Sequence, residues 1–162
     1  MQRKVEPGMS HVIPAGEGKR FDVLGAHLIW KARGEDTDGT FTVAVQTLAP
    51  SEHIPPHKHQ YPEVFFVTSG ELIFTLTRGA EEVEEKVSQG GTVIVAANSY
   101  HSVRNSSNED ATLLDIACFE HQQFFDDVQQ AHQAWNGLTP EQTMQQVGEI
   151  GLRHTLEFRA PG

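Results

Sequence analysis

The sequence predicts an all-β sandwich or barrel followed by a short helical tail. Short apolar runs recur from about Phe21 to Phe119. Glycine-containing turns separate them, which marks short strands of a sandwich or barrel rather than an α/β fold. Beyond residue 120 the apolar period lengthens to that of a helix.

The elements follow in order. Phe21 to Lys31 is apolar and broken by Gly25, and Gly39-Thr40 introduces Phe41 to Leu48, where Phe41, Val43 and Val45 alternate with Thr42, Ala44 and Gln46. Glu63 to Thr68 and Glu71 to Thr77 meet at Ser69-Gly70, which reads as a tight hairpin. Arg78-Gly79-Ala80 turns the chain into Glu81 to Val87, whose glutamates 81, 82, 84 and 85 read as a solvated face. Gly90-Gly91 leads to Thr92 to Ala96, and further runs follow at His101 to Asn105 and Ala111 to Glu120. Phe124, Val128, Ala131 and Trp135 then recur at helical spacing from His121 to Trp135. Thr139-Pro140-Glu141-Gln142 carries the capping box of a second helix, expected to run to about Glu149 before Gly151. Each helix has one apolar stripe, expected to serve as core against the barrel or a partner rather than as a cofactor site.

At 162 residues one domain is expected, divided as an N-terminal extension (1–20), a barrel (21–120) and a helical tail (121–162). The single cysteine, Cys118, sits in an apolar run and reads as buried core. A net charge of −10 argues against binding nucleic acid through its phosphates. No stretch has the length of a signal peptide's apolar region or of a membrane span, so a cytoplasmic protein without membrane contact is expected. Asn105-Ser106-Ser107 matches a glycosylation acceptor, which carries little weight without secretion.

The chemistry concentrates in Pro55-Pro56-His57-Lys58-His59, followed by Glu63 and Gly70. Residues two apart on a strand share a face, with Cα atoms about 6.6–6.8 Å apart, so the two imidazoles can converge on one ion. Glu63 opens an apolar strand, and burying its charge unpaired would cost several kcal/mol, a cost that a metal removes. Alone, a His-x-His in a proline-rich stretch reads as solvated loop. A second cluster, Gly90, Ala96, Asn98, His101 and Asn105, adds weight to the metal reading. His53 shares strand parity with His57 and could line a cavity mouth, though a solvated loop position is the simpler expectation. Tyr61 and Tyr100 adjoin ligands and are candidates for substrate contact or for packing. Glu35, Asp36 and Asp38 form an acidic loop without calcium-loop spacing.

These two clusters resemble the motifs of the cupin superfamily. His-x-His, three residues, Glu, six residues, Gly is matched at every position. Gly90, His101 and Asn105 match the second motif in register, with Ala96 where proline is usual and Asn98 where glycine is usual. Asparagine adopts φ > 0 more readily than other non-glycine residues, so the turn is expected to survive. From Gly16 to Gly162 the layout is similar to small single-domain cupins related to quercetin 2,3-dioxygenase. The resemblance implies a double-stranded β-helix (jelly-roll) barrel with a C-terminal pair of short helices. It implies one divalent transition metal (Fe, Ni, Mn, Co, Cu or Zn) held by His57, His59, Glu63 and His101, and a homodimer joined at edge strands, with the helical tail as a second candidate surface. It further implies dioxygen chemistry on a flavonol-like or other enolisable small molecule, with Glu63 as both ligand and base. Raising the basicity of Glu63 needs an apolar wall, for which Phe65 and Phe74 are candidates. A redox-neutral isomerase or cyclase and a non-catalytic binder of small molecules stay open as alternatives.

Overall fold

Two antiparallel sheets lie face to face in the computed structural model, which describes residues 8–160. In chain order the strands begin with β1 (Lys19–Val23), β2 (Ala26–Ala32), β3 (Thr42–Leu48), β4 (His53–His59) and β5 (Glu63–Ser69). They continue with β6 (Glu71–Arg78), β7 (Glu81–Ser88), β8 (Thr92–Val95), β9 (His101–Arg104) and β10 (Ala111–Ala117). Helices α1 (Phe119–His132) and α2 (Pro140–Arg153) follow, and β11 (Leu156–Phe158) closes the chain. One sheet has the order β1-β2-β3-β10-β5-β8 and the other β11-β4-β9-β6-β7. This is the jelly-roll barrel with two C-terminal helices that the sequence implied.

The barrel interior divides into two apolar layers. Leu48, Phe65, Val67, Leu72, Phe74 and Leu113 belong to one. Phe21, Leu28 and Trp30 meet Phe124 and Val128 of α1 and Val147 and Ile150 of α2 in the other. The helices therefore pack on the barrel through their apolar stripes.

Several elements depart from expectation for identifiable reasons. Ser69-Gly70 is not a hairpin: β5 and β6 lie in different sheets, so the chain turns a corner there. Gly70 has φ 73°, and an added Cβ would lie 2.9 Å from the Cβ of Ala111, so this corner admits glycine alone. The alternation in β3 holds, but Thr42, Ala44, Gln46 and Leu48 face inward while Val43 and Val45 face out. Strand β10 ends at Ala117, and α1 starts at Phe119 rather than at His121, with a half-buried Cys118 as its N-cap instead of a core residue. Helix α1 ends at His132, short of Trp135. The capping box at Thr139 and Gln142 is formed, but α2 runs through Gly151 to Arg153. Gly151 serves packing: its added Cβ would meet the Leu156 carbonyl oxygen at 2.7 Å. The tail also supplies β11, which pairs with β4 in the register Leu156–His59 and Phe158–His57. Among the described residues no helix is long and apolar enough to cross a membrane.

Candidate metal centre

Strand β4 places His57 and His59 on the inner face, β5 opens with Glu63, and β9 opens with His101. All four side chains are buried, and one ligand atom from each lies within 4.8 Å of the others. Ligands at about 2.0–2.2 Å from one ion have just such mutual distances.

The backbone fixes the imidazoles. Nδ1–H of His57 donates to the Pro55 carbonyl (2.8 Å), that of His59 to Tyr61 (2.7 Å) and that of His101 to Ser99 (3.0 Å). A carbonyl only accepts, so each Nδ1 carries the proton and each Nε2 is left with a lone pair. The Nε2 atoms of His59 and His101 lie 2.9 and 3.1 Å from Oε2 of Glu63. Lone pairs facing a carboxylate oxygen at these distances need a cation or a proton among them. Three neutral imidazoles and one carboxylate are a donor set suited to a divalent transition metal. The residues therefore fit the ion that the motifs imply.

The turn before His101 is preserved. Asn98 adopts φ 61°, and its N–H donates to the His59 carbonyl at 2.7 Å. Asn105, the last motif residue, is a buried staple whose amide donates to the Leu48 and Glu109 carbonyls.

A second layer stands behind Glu63. Nε2 of His121, in the first turn of α1, lies 3.1 Å from Oε1 of Glu63 and 3.0 Å from Oδ2 of Asp115. Its Nδ1 lies 2.8 Å from the Tyr61 hydroxyl, and the Tyr61 ring stacks on His59 at 4.1 Å. Burial pulls His121 down, but the charges of Asp115 and Glu63 outweigh it and hold the ring well above its ordinary value. Burial and the neighbouring charge of Glu63 push the Asp115 carboxyl up to about 7. Burial pushes His57 down to about 3. For Glu63, burial is overcome chiefly by the neighbouring charge of His121, which keeps it well below the usual carboxylate range. The expectation of a raised Glu63 basicity is thus corrected: the apolar wall is present, but the charge of His121 beside the carboxylate dominates.

A cavity of about 130 Å³ adjoins this cluster, lined by His57, Glu63, Asp115, His121, Gln46 and apolar side chains from the barrel and both helices. Phe65 supplies wall, as expected, whereas Phe74 packs behind it at 5.5 Å and is absent from the lining. Phe124 and Val128 belong to the core and also line the cavity, so the α1 stripe is not core alone. Exposed Leu24 and Met144 mark its rim.

Of the neighbouring candidates, Tyr61 is buried in the ligand support and absent from the cavity lining. Tyr100 lies near the surface, donating to Glu157 at 2.8 Å under the side chains of Lys58 and Arg159. His53 is exposed. Pro55-Pro56 sits where the β4–β9 register shifts, and the irregularity turns Ile54 and Pro55 to the cavity in its place. Glu35 and Asp36 serve the fold, Asp36 accepting from the Arg33 N–H and Glu35 pairing with the Arg33 guanidinium. Sequence reasoning missed His121 and Asp115. A histidine opening a helix and an aspartate inside an apolar strand were the available signals, but neither stands at motif spacing.

A family model described as "Cupin domain" matches residues 44–117, the stretch that contains all four clustered residues. Auxin-binding protein 1 of Arabidopsis thaliana is 34% identical over 77 residues, which are 44% of this chain and 39% of that protein. The chain thus spans well under half the length of the curated relative it matches. A predicted oxalate decarboxylase from Thermotoga maritima shares the fold at TM-score 0.59 and 18% identity, covering 67% of this chain and 98% of its own. The CENP-C cupin domain of Drosophila melanogaster does so at TM-score 0.55 and 16% identity, with coverage of 65% and 74%. At these identities the structural likeness is one of fold.

Proposed function

We propose that this cupin barrel is a metal-dependent dioxygenase acting on a small, largely apolar, enolisable molecule. The observation that carries the reading is the position of the His57/His59/Glu63/His101 cluster at the wall of an apolar cavity, with His57 and Glu63 facing both. A bound divalent ion would supply Lewis acidity and, for a redox-active metal, a route for electrons between substrate and dioxygen. The four residues would carry one negative charge against the ion's two positive ones, which favours a substrate ionised at one oxygen. The cavity volume of about 130 Å³ is close to the ~150 Å³ of a cavity that takes benzene. That size favours a single ring inside, with any larger flavonol-like body extending past Leu24 and Met144. Glu63, His121 and Asp115 form one buried polar unit on the wall, joined by a hydrogen bond and an ion-pair contact. A proton leaving a substrate hydroxyl at Glu63 would be held in that unit at Oδ1 of Asp115, a buried oxygen without a partner among the described residues.

The likeness to a protein named for binding auxin favours a second reading, a binder of small molecules without turnover. Metal analysis comes first, with wild type beside His101→Ala after metal-replete expression. About one equivalent in wild type and a sharp loss in the variant are expected. Oxygen uptake with enolisable substrates then separates the readings. Uptake with Fe, Ni, Mn, Co or Cu that disappears with Zn supports the oxygenase. Conversion without oxygen would favour an isomerase or cyclase, and saturable binding without conversion the second reading.

A further inference from the structure

We infer that His121 is a positioning residue of the metal centre: it holds the Glu63 carboxylate so that Oε2 alone faces the ligand histidines. The inference rests on the metal reading above and adds to it a part of the site supplied by the helical tail.

Oε2 of Glu63 sits 2.9 Å from Nε2 of His59 and 3.1 Å from Nε2 of His101, on the side where the four ligand atoms converge. Oε1 points the other way, 3.1 Å from Nε2 of His121. That nitrogen lies between two carboxylate oxygens, Oε1 of Glu63 and Oδ2 of Asp115, which accept, so it carries a hydrogen. On its other side Nδ1 of His121 lies 2.8 Å from the Tyr61 hydroxyl, a group that both donates and accepts. One imidazole is thus fixed by a phenol on one side and by Asp115, which accepts its N–H, on the other, and the same nitrogen stands at ion-pair distance from Oε1 of Glu63. With Oε1 held against His121, Glu63 would offer a bound ion one oxygen instead of two, which would leave room for substrate.

Tyr61 ties the same support to a second ligand, because its carbonyl accepts from Nδ1 of His59 while its ring stacks on that imidazole. The start of α1 is pinned where His121 is needed. The buried Gln122 accepts from the Gly34 N–H at 2.7 Å, and a Cβ on Gly34 would strike the Phe119 ring. The helical tail therefore reaches the metal centre through one side chain.

The test uses the full chain with Co²⁺ as probe, measuring affinity by competition with a chromophoric chelator and recording the d–d spectrum. His121→Leu keeps bulk and helix but removes the donor. It is expected to bind Co²⁺ about 10–100-fold more weakly, as loss of an outer partner of a ligand typically does, and to show a weaker d–d band as Glu63 turns bidentate. His121→Gln carries an N–H to the same place and should return affinity and spectrum to near wild type. Circular dichroism verifies that each variant is folded. If His121→Leu does not fold, Tyr61→Phe, which removes the hydroxyl that orients His121, should still weaken Co²⁺ several-fold and alter the band. An unchanged affinity and spectrum in the donor-free variant overturns the inference while leaving the metal reading intact. A glutamine variant as poor as leucine also overturns it, since packing rather than the N–H would be at work. Folded wild type that binds no metal overturns both readings together.

Discussion

Asn98 occupies the left-handed region at φ 61° in the turn that delivers His101, and its N–H donates to the carbonyl of His59, so one residue ties two candidate ligands together. Asn98→Ala keeps that N–H but meets the left-handed penalty, so urea unfolding should show a loss of about 1 kcal/mol. Asn98→Gly should be close to neutral. His27 gives a pH-dependent case at the β1–β2 hairpin, where it lies opposite Asp22 in the register. The hydrogen bond that His27 donates to Asp22 raises its pKa, burial works weakly against this, and Glu52 adds to the rise. The folded value lies above 6.5, so the contribution is fully present below pH 6.5 and is lost as pH rises through the raised value. The pair is largely exposed, so the effect is small. Asp22→Asn should lower the His27 titration midpoint by NMR and flatten that part of the stability profile. Single residues were legible where a motif fixed their spacing. His57, His59, Glu63 and His101 stand at such spacing, and the structure brings them together. His121 and Asp115 were not legible, because they meet Glu63 through the packing of α1 against the barrel. Even the electrostatics of Glu63 escaped the sequence, since its sign depends on His121, which α1 packs beside it.

Gly70 shows what an element boundary can conceal. Its dipeptide reads as a hairpin, yet in the barrel it is the corner where the chain leaves one sheet for the other. A side chain there meets both the positive φ and the Ala111 backbone, which would lie 3.0 Å from the new Cβ. Gly70→Ala is expected to cost about 3 kcal/mol, the sum of left-handed strain and overpacking, read as a lower denaturation midpoint with unchanged slope. The same mutation at Gly90, also at positive φ but in open space, should cost about 1 kcal/mol. Strand existence and type were legible from alternation and turn residues, whereas which face points inward was not. In β3, β5 and β10 both faces carry apolar side chains, so period alone could not choose between them. The inner rows hold Gln46, Glu63 and Asp115 because a cavity and a candidate metal centre occupy that space. Strand β11 was invisible for a different reason: three residues are too few to show a period.

At the scale of the whole molecule, those outward apolar rows define a surface. Val43 and Val45 of β3, Leu114 and Ile116 of β10, Val64 and Phe66 of β5 and Ile94 of β8 lie in adjacent register on the outer face of the larger sheet. Threonines fill the remaining outward positions of these four strands, so the face carries no charge in a chain of net charge −10. Strands about 4.8 Å apart and outward rows about 6.8 Å apart give it roughly 400 Å² in plane, enough for the apolar centre of an interface with about 800 Å² per partner. A second copy suits it, since two chains of net −10 meet with least repulsion through an uncharged patch. The edge-strand route expected from sequence is less suited at β7, one of the two outer strands of the smaller sheet, whose exposed Glu81, Glu82 and Glu84 would confront their own kind. Sedimentation equilibrium is therefore expected to give a homodimer, and Phe66→Glu combined with Ile94→Glu to give a monomer. The metal content of that variant should be unchanged, because both side chains point away from the ligands. A wild-type monomer at tens of micromolar would rule out the pairing. A dimer that survives the double variant would move the interface to an edge or to the tail.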